Sequence, residues 1–600
     1  MKRFAFRKSK QKIKNISEVQ ASVIKDFVFD TNFQVKFLSG TSAYIKELPL
    51  LFEDSEITII DLAQDFSPLT PFFKILSGFK VSDSILDDFC YFPQKKAFRS
   101  YLKNGIADKR FDVFVSDNIG FEKRTMRQTL ISMMEEIVSG DFLILNTQCI
   151  GEEAFEILKD LERSDIRCSI TFCIDSFDED NTTDSLYNYF LEKQNDLNFL
   201  NICDESDRSL FLDHPKSKYD REFSFSQVMD IFENNRVFLA VSENRRFADS
   251  FVKKSGTYNF FPEQLRIIYK EIGLAYFYNN DLDEAVLYFN NVIESSRNDA
   301  LAAEIYLFLS KIFHQKRNLK QALKYALLVE QIAKEEELNV LYPLGLMMEY
   351  FCCENYDDPS YIELYKKALK ALKEAGLTIN YIYTCNQIPV FLYETREYFG
   401  FILEQLEDAY SLANQIGDIP EIASSSHWKA MILSKMGETE QSTILFNESN
   451  RLRTQMGELP PLLTIRNGLS YEALCRADYY EAYSLINSII SRIYEITEYP
   501  MIVSTITNCT FSLFYSRHYE LCYSLFNQIL RFLQLMGLSN EKTSTLCQVQ
   551  PISCSIKQLS NLITAILFMQ EITVLPWQKN IQKFRRWSSL FTTSCSPLFL

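Results

Sequence analysis

Up to about residue 260 the chain alternates two hydrophobic rhythms. Short apolar runs rich in β-branched and aromatic residues, Phe33–Ser39, Glu56–Asp61, Phe111–Ser116, Asp141–Asn146 and Cys168–Ile174, predict buried strands. Helical patterns such as Glu152–Arg163 lie between several of them. That alternation predicts a parallel α/β sheet, whose strands are covered on both faces and so read as nearly continuous apolar runs. The acidic, polar stretch Asp178–Asp184 predicts a surface loop. After residue 260 nearly everything follows a helical period.

Within that second part a repeat emerges. Tyr269, Ile272, Gly273, Tyr276, Ala285 and Phe289 follow the spacing of the tetratricopeptide pattern W-x₂-L-G-x₂-Y…A-x₃-F, with Tyr at the Trp position and Ile at the Leu position. Small residues belong where the two helices of a hairpin cross, aromatics fill the space beside the crossing, and Asn280–Asp281 supply the turn. The small position of the second helix recurs at Ala285, Ala322, Tyr361, Ile402, Ser442, Ala482 and Cys522. The apolar position four later recurs at Phe289, Ala326, Tyr365, Leu406, Phe446, Ile486 and Phe526. The units at Tyr361 and Ile402 fit least well and are placed by their helix ends. Gly376, Gly417 and Gly457 read as helix C-caps. The step of about 40 residues exceeds the usual 34 and predicts longer helices. From about Asn540 the repeat fades into a Ser/Thr-rich tail, Ser553–Leu600, which carries Arg585, Arg586 and Trp587.

Composition supports long helices. The 600 residues include only 16 Gly and 16 Pro, about 5% together, against a usual total near 12%. Apolar residues make up 47% and charged residues 24%, a globular balance. The net charge of −16 argues against nucleic acid as a partner of the whole chain. The first 14 residues depart from that balance, with seven Lys and Arg and no acid, and read as a solvated basic terminus. No apolar run follows them as in a signal peptide, and the longest clean apolar stretch, Leu562–Met569, is too short to span a bilayer. The expectation is a cytoplasmic chain without stable membrane insertion. The 14 cysteines contain no C-x-x-C pair, Cys352–Cys353 lie within a helical pattern, and the four histidines are too scattered for a zinc site. No metal ligands and no catalytic residues are assigned.

One stretch could carry chemistry. The first strand leads into Gly40-Thr41-Ser42-Ala43-Tyr44-Ile45-Lys46-Glu47, and Gly40 and Lys46 have the separation of a phosphate-binding loop, G-x-x-x-x-G-K-[ST]. Ile45 stands where that loop needs glycine, and Glu47 stands where it needs a hydroxyl for Mg²⁺. The apolar run Phe142–Leu145 ends in Asn146-Thr147, not in the acid that would order the metal. Gly40 and Lys46 are the candidate nucleotide-binding residues, on a damaged motif.

The sequence of a strand, Gly40…Lys46, Ile59-Ile60-Asp61, Phe142–Asn146, the helix at Gly151–Leu161 and Ser169–Ile174 resembles the signal-transducing ATPase domain of the STAND class. That class often joins the domain to long-period tetratricopeptide repeats, as in MalT-like activators. The resemblance runs from about residue 25 to 535. It implies a degenerate P-loop NTPase-like α/β domain followed by an all-α helical solenoid. The expected organisation is a basic segment (1–24), the α/β domain (25–205), a connecting helical region (206–260), about seven repeats (261–535) and a C-terminal cap or tail (536–600). The expected function is a non-catalytic interaction scaffold or regulator, with a protein or peptide partner on the concave face of the repeats, no cofactor and no ATP hydrolysis. Tyr306, Asn386 and Trp428 are weighed as partner contacts against core packing. The alternative is an ATP-dependent switch using Gly40 and Lys46, or a MalT-like transcription regulator. The regulator would need a helix-turn-helix that Gly537–Glu541 only begins.

Overall fold

The computed structural model describes residues 13–524, apart from segments 64–68, 87–93, 105–118, 176–183, 203–221, 295–298, 354–358 and 491–507 and a few isolated positions. The expected strand Phe111–Ser116, most of the Asp178–Asp184 loop, Gly457, Cys522, Phe526, the first 12 residues and the C-terminal tail lie outside the described residues. The chain forms two compact units, Met1–Cys352 and Cys353–Leu600.

The first unit opens with α1 (Glu18–Val28), β1 (Val35–Gly40), α2 (Ser42–Leu51), β2 (Thr58–Asp61), α3 (Phe72–Ser77), α4 (Gln94–Asn104) and α5 (Ile119–Ile137). It continues with β3 (Gly140–Leu145), α6 (Glu152–Leu161), β4 (Cys168–Asp175), α7 (Asp184–Lys193) and β5 (Phe199–Asn201). Among the described residues five strands form one sheet in the order β2-β3-β4-β1-β5, and every pairing is parallel. Register runs from Val35 opposite Ile170 to Gly40 opposite Asp175, and Thr58 lies opposite Phe142.

Strand order and handedness together place the helices. The β1-to-β2 connection crosses β4 and β3 in one direction, while the later connections all run the other way. Right-handed crossovers then put α2 on one face and α3–α7 on the other. The core follows this division: Tyr44, Ile45 and Leu48 of α2 pack with Leu38, Leu143 and Cys173, whereas Phe37, Phe142, Ile144, Ile170 and Phe172 pack under α3–α7. Helix α1 shares the α2 face. Its N-terminus closes in a capping box between Ser17 and Gln20. Its C-terminal carbonyls meet a lysine buried in the sheet: Lys36 Nζ donates to Val28 O (2.5 Å) and Asp30 O (2.7 Å). Loss of hydration lowers the pKa of that amine, and the carbonyls it serves are those a helix end leaves unpaired.

The rest of the unit is helical: α8 (Phe225–Val237), α9 (Val241–Lys254), α10 (Pro262–Tyr278), α11 (Leu282–Glu294), α12 (Ala300–Gln315), α13 (Leu319–Glu335) and α14 (Leu341–Phe351). The turn between α8 and α9 sends Phe238 back among Phe73, Phe98 and Tyr101, tying the helices to the α/β layer. At the first hairpin the predicted crossing is real: a Cβ on Gly273 would lie 2.5 Å from Phe289 Cε1. Cys352 caps the end of α14 and Cys353 follows it, so this pair closes a helix and does not lie inside one, as the sequence pattern had suggested.

The second unit contains α15 (Pro359–Glu374), α16 (Thr378–Leu392), α17 (Phe399–Ile416), α18 (Ile419–Met436), α19 (Thr439–Met456), α20 (Leu459–Cys475) and α21 (Tyr479–Ile490). In both units the repeat positions up to Ala482 and Ile486 are core: none is more than 2% exposed, including Tyr361, Tyr365, Ile402 and Leu406 in the least regular units. The hairpin turns share a left-handed residue five positions before the small one, at Asn280, Arg317, Gly437, Ala477 and Arg517. The α16–α17 hairpin turns instead through a 3-10 segment, Arg396–Tyr398. The fold is an α/β domain followed by tetratricopeptide-type helical hairpins. No helix of the described residues is long and apolar enough to cross a membrane.

Candidate functional site

In a doubly wound sheet, ligands bind at the carboxyl edge where neighbouring connections diverge. Here that point lies between β1 and β4, beside Gly40 and Asp175. The chain passes from β1 into α2 through a single residue, Thr41, whose Oγ1 accepts from Tyr44 N at 3.4 Å as the helix N-cap. Gly40 is buried at the strand end, and a Cβ there would lie 3.0 Å from Ile202 Cγ1 and Cδ1. Close packing against Ile202 therefore accounts for this glycine. Ile45 is 1% exposed and belongs to the core under α2. Lys46 is exposed on the helix surface. Glu47 turns away to the N-terminal segment: its carboxylate accepts from Asn15 N and Asn15 Nδ2, each at 2.9 Å, and from Ile16 N at 3.3 Å. Residues 42–51 are thus helical, with no long turn between strand and helix.

A chain of polar side chains follows the same edge. Asn146 sits in the left-handed region (φ 57°) after β3 and donates from Nδ2 to Asp61 Oδ1 at 2.7 Å. The buried Gln148 donates from Nε2 to Asn146 Oδ1 at 3.4 Å, and its Oε1 accepts from Asp175 N at 3.2 Å. Asp175 is itself buried. Sequence reasoning missed Asp175 and Gln148. The available signal was the acid closing the run CSITFCID, one residue beyond the strand end assigned from the pattern. Glu152 and Glu153 occupy the first turn of α6, and Glu153 meets Lys123 at 2.5 Å; burial raises the Glu153 pKa while Lys123 opposes the rise.

The three residues weighed as partner contacts are all engaged internally. Tyr306 stacks on Tyr325 at 5.7 Å, and Trp428 packs against His427. Asn386 is buried, donates to Glu421 Oε2 at 2.6 Å and accepts from Ser425 Oγ at 2.8 Å. His427 is packed against Phe446, and its burial, aided by Arg453, pushes its pKa down to about 3.

No known family profile matches the chain, and no curated protein matches it in sequence. Among solved structures it is similar to a signal transduction ATPase with numerous domains (STAND) protein with a tetratricopeptide repeat sensor from Pyrococcus horikoshii. That likeness has 11% identity and a TM-score of 0.48, over 87% of this chain and 96% of the other. It is also similar to a Rap protein complexed with competence and sporulation factor, at 12% identity and a TM-score of 0.39, over 58% of this chain and 97% of that one. A third likeness is to NprR in complex with its cognate peptide NprX, at 15% identity and a TM-score of 0.35, over 61% and 100%.

Proposed function

We propose that this chain is a non-catalytic interaction protein: its helical hairpins hold a protein or peptide partner, and its α/β domain acts as a scaffold or regulator without hydrolysing ATP. The observation that carries this reading is the junction at Gly40–Glu47. Phosphate loops work by wrapping several backbone N–H groups around the anion. Here the chain enters the helix one residue after the strand, Ile45 is committed to the core, and Glu47 is committed to Asn15 and Ile16. The hairpins, by contrast, keep every described repeat position packed, and repeat arrays of this kind offer extended surfaces to partners.

Isothermal titration of the full chain with Mg-ATP, beside a Lys46→Ala control, tests the first half: no binding heat up to millimolar ATP is expected. Affinity capture from native cells with the full chain tests the second half, and recovery of nothing beyond background would remove its support. The alternative, an ATP-dependent switch, draws on the exposed Lys46 and the edge carboxylates Asp61 and Asp175. Lys46-dependent ATP binding followed by turnover would establish it instead.

A further inference from the structure

The α8–α9 turn joins the α/β layer to the helical hairpins and encloses a cavity that no part of the reading above uses. Asn235, Arg236, Leu239, Asn244, Ala275 and Tyr278 line it. It measures about 300 Å³ counting its open mouth, but its closed part has room for barely one water-sized group. Three features mark it as a built site. Asn235 is 1% exposed, and its Oδ1 has no protein partner among the described residues. Its Nδ2 makes only a 3.5 Å contact with Asn244 Oδ1, and Asn244 is equally buried. Leu239 is held in the left-handed region at φ 55°, a conformation that leucine adopts only when its surroundings impose it.

Charge decides what the cavity accepts. Arg236 Nη1 donates to Glu271 Oε2 at 2.9 Å, and Glu271 is buried on α10. Glu233 and Glu304 also act on this guanidinium, and Lys270 lies 3.4 Å from Glu271. The arginine charge is therefore already met. A further anion would face three carboxylates, and a cation would face arginine. What remains is an acceptor at Asn235 and spare N–H donors on Arg236. A buried acceptor left bare carries a desolvation penalty that one suitable hydrogen bond removes.

We propose that this junction cavity binds one small neutral group that both donates and accepts hydrogen bonds, giving a proton to Asn235 Oδ1 and accepting from Arg236. Solvent water and the carboxamide tip of a bound segment share that chemistry. Crystals of the full chain test the proposal, one set untreated, one soaked in acetamide and one soaked in sodium acetate. A single peak within hydrogen-bond distance of Asn235 Oδ1 is expected in the untreated crystals. Replacement of that peak by acetamide assigns the site to carboxamides, and its persistence as water assigns it to solvent. A cavity empty in all three sets, or one filled by acetate, overturns the proposal. Asn235→Leu removes the acceptor, so its crystals should lose the occupant; retention of the occupant there would overturn the role given to Asn235. If that variant does not fold, the three wild-type crystal sets decide alone.

Discussion

Replacing Gly273 with alanine tests whether the hairpin crossing is as tight as its geometry indicates. The new methyl would lie 2.5 Å and 2.6 Å from Phe289 Cε1 and Cδ1, where carbon atoms normally rest at about 3.5–4.0 Å. The ring must move by about 1 Å, yet Phe289 is fully buried and stacked on Phe308 at 5.8 Å. Overpacking of this kind costs about 1–3 kcal/mol. Alanine returns about 1 kcal/mol in helix propensity. The net expectation is a loss near 1 kcal/mol in the wild-type background. With Phe289→Leu the obstructing ring edge is gone, and the same Gly273→Ala change should become neutral or stabilising by up to about 1 kcal/mol. Urea unfolding of the four proteins of this double-mutant cycle, followed by far-UV circular dichroism, measures the coupling, expected at about 1–3 kcal/mol. A coupling below about 0.5 kcal/mol, or an alanine that stabilises both backgrounds equally, would refute the reasoning.

Three further outcomes follow from separate features. Lys36→Met keeps the apolar stem but leaves the carbonyls of Val28 and Asp30 without their donor, and should cost about 1–3 kcal/mol in urea unfolding; an unchanged midpoint would show that water serves those carbonyls. Ala477→Gly relieves a left-handed alanine (φ 60°) and should raise stability by about 1 kcal/mol, read as a higher melting temperature. The third concerns pH. His427 is held neutral down to about pH 3, whereas an unfolded histidine titrates near 6.5. The unfolded state therefore takes up a proton that the folded state refuses, so this contribution is intact above pH 6.5 and declines as pH falls towards 3. The slope is up to about 1.4 kcal/mol per pH unit. His427→Gln should flatten the difference between unfolding midpoints at pH 7.5 and pH 5.0, and identical pH profiles for the two proteins would contradict the assignment.

What the sequence disclosed, and what it hid, has physical reasons. Strands β1, β3 and β4 announce themselves because parallel strands covered on both faces are largely apolar, and the edge strand β2 does so through Ile59 and Ile60. Strand β5 does not, because three residues are too few to carry a period. The hairpins are legible through Gly273, Ala285 and Phe289, since a close crossing restricts residue size at fixed intervals. Strand order is not legible, because it depends on which way each crossover runs. The role of Glu47 is hidden for a related reason: its partner Asn15 lies 32 residues away, and local spacing carries no trace of that pairing. Asp175 was within reach, as an acid closing an apolar run, and a strand end placed one residue early concealed it. Tyr361 and Ile402 look anomalous as small-residue positions, yet both are core.

The constant interval between the left-handed turn residue and the fifth residue beyond it has an implication for how such a chain can change length. One residue added between Ala477 and Ala482 would rotate everything downstream on that helix by about 100°, swinging its apolar stripe towards solvent. Additions between one hairpin and the next escape that rotation. Gain or loss of a complete hairpin would likewise leave every remaining stripe in phase, so this architecture grows or shrinks by whole modules and resists editing inside them.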